Sequence, residues 1–285
     1  MLNTYTNQKF IGFDETFDDS DVILFGAPFD GTTSFRPGTR FAPSVIRPDS
    51  YGLETYSPYL DLDLEDFPLC DIGDTDLPFG NTPAALDLIG ETATTIIKAH
   101  KKPLMIGGEH LVTLPVVKAL TEKYPDLHIL HFDAHTDLRE DYLGETLSHA
   151  SVIRRSWEIV GDGHIYQFGI RSGLKAEFEW AKTHTHLQRF NTDGLKDVID
   201  QLKGKPVYLT IDLDVLDPSV FPGTGTPEPG GITMKELLSA LELIKVLPLV
   251  GADVVELSPH YDASGISNAA ACKVIREVAL LLASS

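Results

Sequence analysis

Basic residues are scarce in this sequence. Its 285 residues include 23 Lys and Arg against 42 Asp and Glu, which gives a formal net charge of −19 at pH 7. A surface of that sign repels the phosphates of nucleic acids and the headgroups of anionic lipids. We therefore exclude nucleic-acid-binding and membrane-surface proteins, and we expect the chain to attract a small cationic substrate.

Cysteines and long apolar runs are also scarce. Cys70 and Cys272 are the only cysteines, too few for a disulfide framework and without the spacing of a metal site. We expect two buried thiols in the reducing cytoplasm. No apolar run approaches the ~20 residues that cross a bilayer, and residues 1–21 lack the basic start and apolar core of a signal peptide. The sequence thus predicts a cytoplasmic protein with no membrane contact.

What recurs along the chain is a short apolar run followed by an amphipathic stretch. The predicted strands are residues 22–27, 103–106, 127–132, 164–169, 187–190, 206–212 and 250–257. The predicted helices are residues 83–100, 111–124, 148–160, 194–202, 234–244 and 267–283. This alternation is typical of a mainly parallel sheet between two layers of helices. Because no linker or repeat divides the chain, we predict one α/β domain over residues 1–285, with a three-layer αβα arrangement.

Acidic residues and histidines follow four of the predicted strands. The sequence GGEH (107–110) follows one strand, DAHTD (133–137) follows a second, DLDVLDP (212–218) ends a third, and Glu256 closes a fourth. In folds of this kind the active site lies beyond the carboxyl ends of the strands. We therefore expect these side chains to converge at one edge of the sheet.

The spacing of these residues indicates a metal centre. Alternate residues of an extended chain share a face, so Asp133, His135 and Asp137 point the same way. Four crowded aspartates would repel one another unless two divalent cations offset their charge. Carboxylate-rich ligands without sulfur suit Mn²⁺ better than a structural zinc. Taken singly, each motif is also compatible with a helix cap or a turn. The six candidate ligands are His110, Asp133, His135, Asp137, Asp212 and Asp214.

Several motifs, in this order, carry a family resemblance: residues 26–47 (GAPFDGTTSFRPGTRFAPSVIR), GGEH, DAHTD, SHAS, residues 212–231 and VVELSP (254–259). In these motifs the sequence resembles the ureohydrolase family, which includes arginases, agmatinases and formimidoylglutamases. The resemblance covers nearly the whole chain. It implies an arginase-like fold, two Mn²⁺ per chain, hydrolysis of a guanidino group to urea and an amine, and a trimeric or hexameric homo-oligomer.

The resemblance also implies roles for individual residues. It assigns the same six metal ligands, it makes His149 a non-ligand active-site histidine, and it makes Glu256 the carboxylate that holds the guanidinium. A metal-bridging hydroxide would attack the guanidinium carbon, while Glu256 accepts paired N–H donors from that group. We hypothesise that Asp137 protonates the departing amine and that His149 exchanges protons with solvent.

The far end of the substrate determines which guanidino compound is hydrolysed. After DAHTD the chain looks like agmatinases, and the acids of this segment, Glu140, Asp141 and Glu145, favour the second cation of agmatine. Glu228, in GTGTPEPGG, is a further candidate contact at the entrance. We therefore expect agmatine to be cleaved to urea and putrescine. Arg139 and Phe221 depart from the agmatinase pattern, so aminopropyl-agmatine, guanidinobutyrate and arginine stay open as substrates.

Two readings from other classes also stay open. One is a metal-dependent amine deacetylase with a single zinc, which would use fewer aspartate ligands and a pair of histidines. The other is a non-catalytic relative that binds a polyamine. A non-catalytic relative would be expected to lose at least one ligand, whereas all six are present here together with His149 and Glu256.

Overall fold

A computed structural model describes residues 3–6 and 8–285. Nine of its strands form one sheet in the order β1-β5-β2-β6-β11-β10-β7-β8-β9, and β3 pairs with β4 in a separate two-stranded sheet. All neighbours in the large sheet are parallel except β1 and β5. The strands are β1 Thr4–Tyr5, β2 Val22–Ala27, β3 Tyr56–Ser57, β4 Leu62–Asp63, β5 Leu69–Thr75, β6 Lys102–Gly107, β7 His128–Phe132, β8 Ile165–Ile170, β9 His186–Arg189, β10 Val207–Asp212 and β11 Leu249–Val255.

Helices cover both faces of the large sheet. They are α1 Ala42–Ser50, α2 Thr82–Lys98, α3 Thr113–Thr121, α4 Val152–Val160, α5 Lys175–His184, α6 Leu195–Leu202, α7 Met234–Ile244 and α8 Ile266–Ser284. Strand side chains alternate between two apolar cores, as the pleat of a strand requires. In β2, Val22 and Leu24 belong to the apolar core that includes residues of α1, α6, α7 and α8, whereas Ile23 and Phe25 belong to the core that includes residues of α2, α3, α4 and α5. The predicted three-layer αβα arrangement is confirmed.

All seven strands predicted from the sequence are present in the large sheet, but the sequence pattern missed other strands, including β5. The seven-residue strand β5 carries the buried acids Asp71 and Asp74, which break its apolar pattern. The guanidinium of Arg47 in α1 binds both carboxylates, with its Nε 2.7 Å from Asp71 Oδ2. Helix α1 was missed because it contains two prolines, Pro43 and Pro48. Strand β5 was missed because it has ion-paired acids at positions where the prediction expects apolar residues.

Two further expectations can be compared with the structure. Both cysteines are buried free thiols, as predicted. Within the described residues, no helix combines the length and the apolar character that a membrane-crossing segment requires.

Candidate active site

The candidate residues extend from four strands that are consecutive neighbours in the sheet, β6, β11, β10 and β7. His110 follows β6, Glu256 follows β11, and Asp212 is the last residue of β10. The DAHTD segment follows β7 directly. Gly108 allows the turn after β6 to lie against the neighbouring loop, because a Cβ there would sit 1.8 Å from the carbonyl oxygen of Phe29. All the predicted ligands therefore reach the same edge of the sheet.

The imidazole of His110 is surrounded by carboxylates. Its Nδ1 lies 3.1 Å from Asp133 Oδ2, 3.3 Å from Asp137 Oδ2 and 3.4 Å from Asp212 Oδ2. This buried nitrogen nevertheless has no hydrogen-bond partner in the described part of the chain. A buried polar atom without a partner is unfavourable. Three carboxylates around one unpartnered imidazole nitrogen form a donor set that a divalent cation fits.

A second cluster surrounds His135. Its Nδ1 lies 3.0 Å from Asp214 Oδ2 and 3.5 Å from Asp133 Oδ1. Asp133 therefore reaches both clusters, one carboxylate oxygen toward His110 and the other toward His135. Asp212 and Asp214 are linked as well, because the backbone N–H of Asp214 donates to Asp212 Oδ1 at 2.8 Å. The six residues form two overlapping sets, which are joined by Asp133 and by the contact between Asp212 and Asp214.

Buried polar residues behind these clusters orient the side chains. His110 Nε2 lies 2.9 Å from the hydroxyl of Thr210, which donates to Asp253 Oδ1 at 2.6 Å. His131 Nε2 lies 2.8 Å from Asp133 Oδ2, so His131 contacts a candidate ligand from behind, as its position before the strand end suggests. Such contacts fix the tautomer and the orientation of metal-binding side chains.

Without a cation, three acids of this site have a raised pKa: Asp137, Asp212 and Glu256. Burial raises the pKa of Asp212 well above its ordinary value, and the charge of Asp214 adds to the effect. Burial and the charge of Asp133 raise the pKa of Asp137 to about 7. Burial, followed by the charge of Glu109, also raises the pKa of Glu256. Bound cations would remove this penalty, because they supply the positive charge that protons otherwise supply.

Two of these acids have a strained backbone. Asp137 has φ of 52° and Glu256 has φ of 68°, a region that residues other than glycine rarely adopt. Such strain costs about 1–3 kcal/mol per residue and persists only where the surrounding structure enforces it. Both residues line the same cavity.

That cavity has a volume of about 290 Å³. Its walls include five of the predicted residues: His135, Asp137, His149, Asp212 and Glu256. The other three predicted ligands, His110, Asp133 and Asp214, are buried beneath it. Arg139, Tyr142, Ser34 and Thr226 also line the cavity. The space is large enough for a small linear substrate.

His149 is positioned by a loop that sequence reasoning left unassigned. Its backbone N–H donates to the hydroxyl of Thr32 at 3.0 Å, and its Nε2 lies 3.2 Å from the hydroxyl of Ser34. Thr32 is in turn held by the buried carboxylate of Glu109, which accepts its backbone N–H at 2.8 Å. Burial and the charge of His135 lower the pKa of His149 to about 4. Thr32 and Glu109 both lie within motifs that carry the family resemblance, and the sequence gives no other sign of their contact with His149.

The predicted mouth residues are spread more widely. Glu140 and Asp141 are exposed and do not line the cavity. Glu145 lines an adjoining cavity of about 650 Å³, which meets the first at Ser34 and Tyr142. Glu228 contributes its backbone carbonyl to the side chain of Arg171, at 3.0 Å from Nε. Phe221 is fully buried in an apolar core, not at the cavity wall.

Arg171 joins two loops beside the metal-ligand clusters. Its guanidinium donates to the carbonyl oxygens of Asp214 at 2.7 Å, Val215 at 3.1 Å and Glu228 at 2.7 Å. These backbone bonds hold the turn that carries Asp214. Arg171 therefore supports a candidate ligand although no sequence motif marks it.

Comparison with known proteins shows to which family the chain belongs. The model of the arginase family matches residues 20–281. An agmatinase of Bacillus subtilis (strain 168) is 52% identical over 280 residues, 97% of each chain. An N(1)-aminopropylagmatine ureohydrolase of Thermococcus kodakarensis is 40% identical over 243 residues, 83% of this chain and 82% of that one. The crystal structure of a Clostridium difficile protein assigned as an agmatinase superimposes with a TM-score of 0.92 and 53% identity, covering 94% of this chain and 99% of that one.

The fold and these matches define an enzyme of the ureohydrolase class. The chain belongs to the arginase family, as its motifs predicted.

Proposed function

We propose that this enzyme hydrolyses agmatine to urea and putrescine. The observation that carries the proposal is the convergence of His135, Asp137, His149, Asp212 and Glu256 on one cavity, above a buried carboxylate–imidazole cluster. The identity of relatives named as agmatinases over 97% of the chain supports the choice of substrate.

We propose that two divalent cations bind here, held by overlapping ligand sets. Carboxylates dominate both sets, which favours Mn²⁺. When bound, the two ions would acidify a water molecule and so supply a nucleophile near neutral pH. The proposed ligands are His110, Asp133, Asp137 and Asp212 for one ion, and His135, Asp133, Asp212 and Asp214 for the other.

Glu256 is the proposed receptor of the guanidinium. Its Oε1 accepts the backbone N–H of His110 at 2.7 Å, which fixes the carboxylate at the end of β11. A planar guanidinium presents paired N–H donors that suit a carboxylate. Its positive charge would offset the burial that raises the pKa of Glu256, so the acid would ionise as the substrate binds.

Two residues are proposed to handle protons. Asp137 lines the cavity and is the candidate donor to the nitrogen of the departing amine. His149 is neutral near pH 7, because its pKa is lowered to about 4. Its imidazole also lines the cavity, where its Nε2 can take a proton from solvent or return one.

Urea release tests the proposal. The Mn²⁺-loaded protein would be assayed in parallel on agmatine, aminopropyl-agmatine, guanidinobutyrate and arginine. We expect agmatine to give the highest kcat/KM, and we expect Glu256→Gln to lower kcat/KM by about 100-fold or more, since it removes the ionic partner of the guanidinium. Urea from another member of the panel alone would overturn the substrate, and no urea from any member would overturn the reaction.

One observation favours a second candidate, a guanidino acid such as guanidinobutyrate. Arg139 lines the cavity, with its guanidinium carbon 4.5 Å from the centre of the Tyr142 ring. A cation at the wall would attract a substrate carboxylate and repel a second ammonium. Arg139→Gln therefore separates the candidates, with Arg139→Lys as a control that keeps the charge. If agmatine is the substrate, Arg139→Gln should leave its KM unchanged or lower it.

We further propose a single ureohydrolase domain that assembles as a cytoplasmic homo-oligomer, a trimer or a hexamer. Large apolar side chains that are exposed in the single chain support assembly, including Phe79 at 94% exposure and Leu143 at 89%. Light scattering of the purified protein would give the mass. A monomer at micromolar concentration would contradict this part of the proposal.

A further inference from the structure

A second cluster of metal-binding side chains lies at the opposite edge of the sheet from the candidate active site. His128 begins β7, and His164 immediately precedes β8. The two strands pair in parallel with Ile129 opposite Ile165, so the two histidines are neighbours across the sheet. Asp126 precedes β7 by two residues. The cluster is thus formed at the amino ends of adjacent strands, whereas the catalytic candidates occupy the carboxyl ends.

The three side chains present one potential ligand atom each to a common point. The nearest ligand atoms of Asp126, His128 and His164 all lie within 4.8 Å of one another. Asp126 Oδ1 is 3.2 Å from His164 Nε2 and 3.7 Å from His128 Nε2. The imidazole rings stack with centroids 4.5 Å apart and planes inclined by 27°. The Nε2 atoms of both rings thus face the same carboxylate oxygen, Asp126 Oδ1.

His128 is the residue that demands an explanation. It is 2% exposed, and neither of its ring nitrogens has a hydrogen-bond partner among residues 3–6 and 8–285. Burial, followed by the charge of His164, lowers its pKa to about 4, so the ring is neutral near pH 7 and carries a free lone pair. A buried, unpartnered imidazole is unfavourable by itself. A metal ion would provide the missing partner.

His164 and Asp126 complete the site from the solvent side. His164 Nδ1 lies 3.0 Å from the carbonyl oxygen of Asp162. Without an ion, His164 Nε2 also hydrogen-bonds to Asp126 Oδ1 at 3.2 Å. A bound ion would take the place of the Nε2 proton, while the bond from Nδ1 to Asp162 orients the ring, as is common for metal-binding histidines. The Asp126 side chain is 66% exposed, which leaves a path for an ion to enter. Lys205 is a nearby cation that would repel a bound metal ion. Its charge lowers the pKa of both Asp126 and His128.

We infer that Asp126, His128 and His164 bind one divalent transition-metal ion, with water completing the coordination. Two imidazoles and one carboxylate suit Zn²⁺ better than Mn²⁺, which prefers oxygen-rich sets. The ion would tie the amino ends of β7 and β8 together, far from the substrate cavity. Its role would therefore be structural, and its loss would leave urea production unchanged.

Metal counting tests the inference. The Mn²⁺-loaded enzyme would be equilibrated with ZnCl₂, passed through a desalting column, and analysed for zinc, manganese and protein by mass spectrometry. Some zinc will replace manganese in the candidate active site. The amount of zinc bound minus the amount of manganese lost therefore gives the occupancy of the additional site. Asp126→Asn and His164→Gln remove exposed or half-buried ligands and should not disturb folding. His186→Gln is the matched control, because His186 is an exposed histidine at the same end of β9 and lies outside the trio.

We expect one additional zinc per chain in the wild type and in His186→Gln, and none in Asp126→Asn or His164→Gln at a zinc concentration that saturates the wild type. All four proteins should show the same kcat for urea release. The inference is overturned if the wild type takes up no additional zinc, or if the two ligand variants retain it.

Discussion

Thr32 and His149 are joined at two points although 117 residues separate them in the chain. The Thr32 hydroxyl accepts the backbone N–H of His149 at 3.0 Å and lies 3.4 Å from its Nδ1. The same hydroxyl contacts Glu109, whose carboxylate is fully buried. The orientation of the candidate proton-transfer histidine therefore depends on a loop that holds neither a metal ligand nor a charged contact to the substrate.

Replacing Thr32 by valine should impair catalysis while leaving the metal content intact. Thr32→Val keeps the volume and removes the hydroxyl that orients His149. Since a well-placed acid or base contributes about 10²–10⁴-fold to rate, we expect kcat to fall by at least about 10-fold. Thr32→Ser keeps the hydroxyl and should retain most of the activity. Steady-state assays and manganese analysis of both variants would check this, and an unchanged kcat in Thr32→Val would contradict it.

Replacing Arg171 should weaken metal binding, although Arg171 is not a proposed ligand. Arg171→Lys keeps the charge but cannot donate at the same time to the carbonyls of Asp214, Val215 and Glu228. Loss of such supporting contacts typically lowers metal affinity by about 10–100-fold. The measurement is a manganese titration of the chelated protein. Arg189→Lys, at an exposed site over Phe178, is the control and should bind manganese as the wild type does.

The seven strands that the sequence predicted and the six candidate ligands that it proposed both have local signals. The parallel strands are nearly all apolar, as expected of strands covered on both faces. The ligands alternate along chain segments that directly follow those strands. Asp217, in the DLDVLDP motif, likewise shapes its own turn, since its carboxylate accepts the N–H groups of Ser219, Gly230 and Gly231. Signals within about twenty residues were sufficient for these predictions.

Contacts across the sheet had no such signal. The link from Glu109 through Thr32 to His149 and the grouping of Asp126, His128 and His164 depend on strand order and register, which the sequence pattern does not specify. The acids after DAHTD show the opposite problem. Their charge was evident, but the position of each side chain was not, and Glu140 and Asp141 are exposed and do not line the cavity.

Chelation should reverse the effect of alkaline pH on stability. In the metal-free protein, burial and the charge of Asp133 raise the pKa of Asp137 to about 7, and burial raises the pKa of Asp212 well above its ordinary value. A raised pKa means that the folded state holds protons that the unfolded state has released, so stability falls as the pH rises toward and through the folded pKa. Histidines with a lowered pKa, such as His149, act in the opposite direction only below about pH 6.5.

In the chelated protein, we expect the free energy of unfolding to decrease between about pH 6.5 and 8. Each proton that the folded state binds in excess of the unfolded state contributes a slope of about 1.4 kcal/mol per pH unit. With Mn²⁺ present, the same interval should be flat or rising, because the ions replace the protons. Urea denaturation at several pH values, with and without chelator, provides the measurement. Equal slopes in the two series would contradict the proposed ligand set.

Arg47 should be among the most important basic residues for stability in this acid-rich chain. It is 3% exposed and neutralises two buried acids of β5, Asp71 and Asp74. Arg47→Met leaves those carboxylates without a cation, and removal of one partner from a buried ion pair typically costs about 3–5 kcal/mol. Lys203→Met, which removes an exposed partner of Asp200, should change stability by less than about 1 kcal/mol.

The mechanism can be separated from a simple loss of packing. If the uncompensated charge is the cause, then Asp71→Asn and Asp74→Asn introduced together should cost less in the Arg47→Met background than in the wild type. Denaturant titrations of the single, double and triple variants give this coupling energy. Additive losses would mean that Arg47 stabilises the junction of α1 and β5 by the packing of its aliphatic stem and not by its charge.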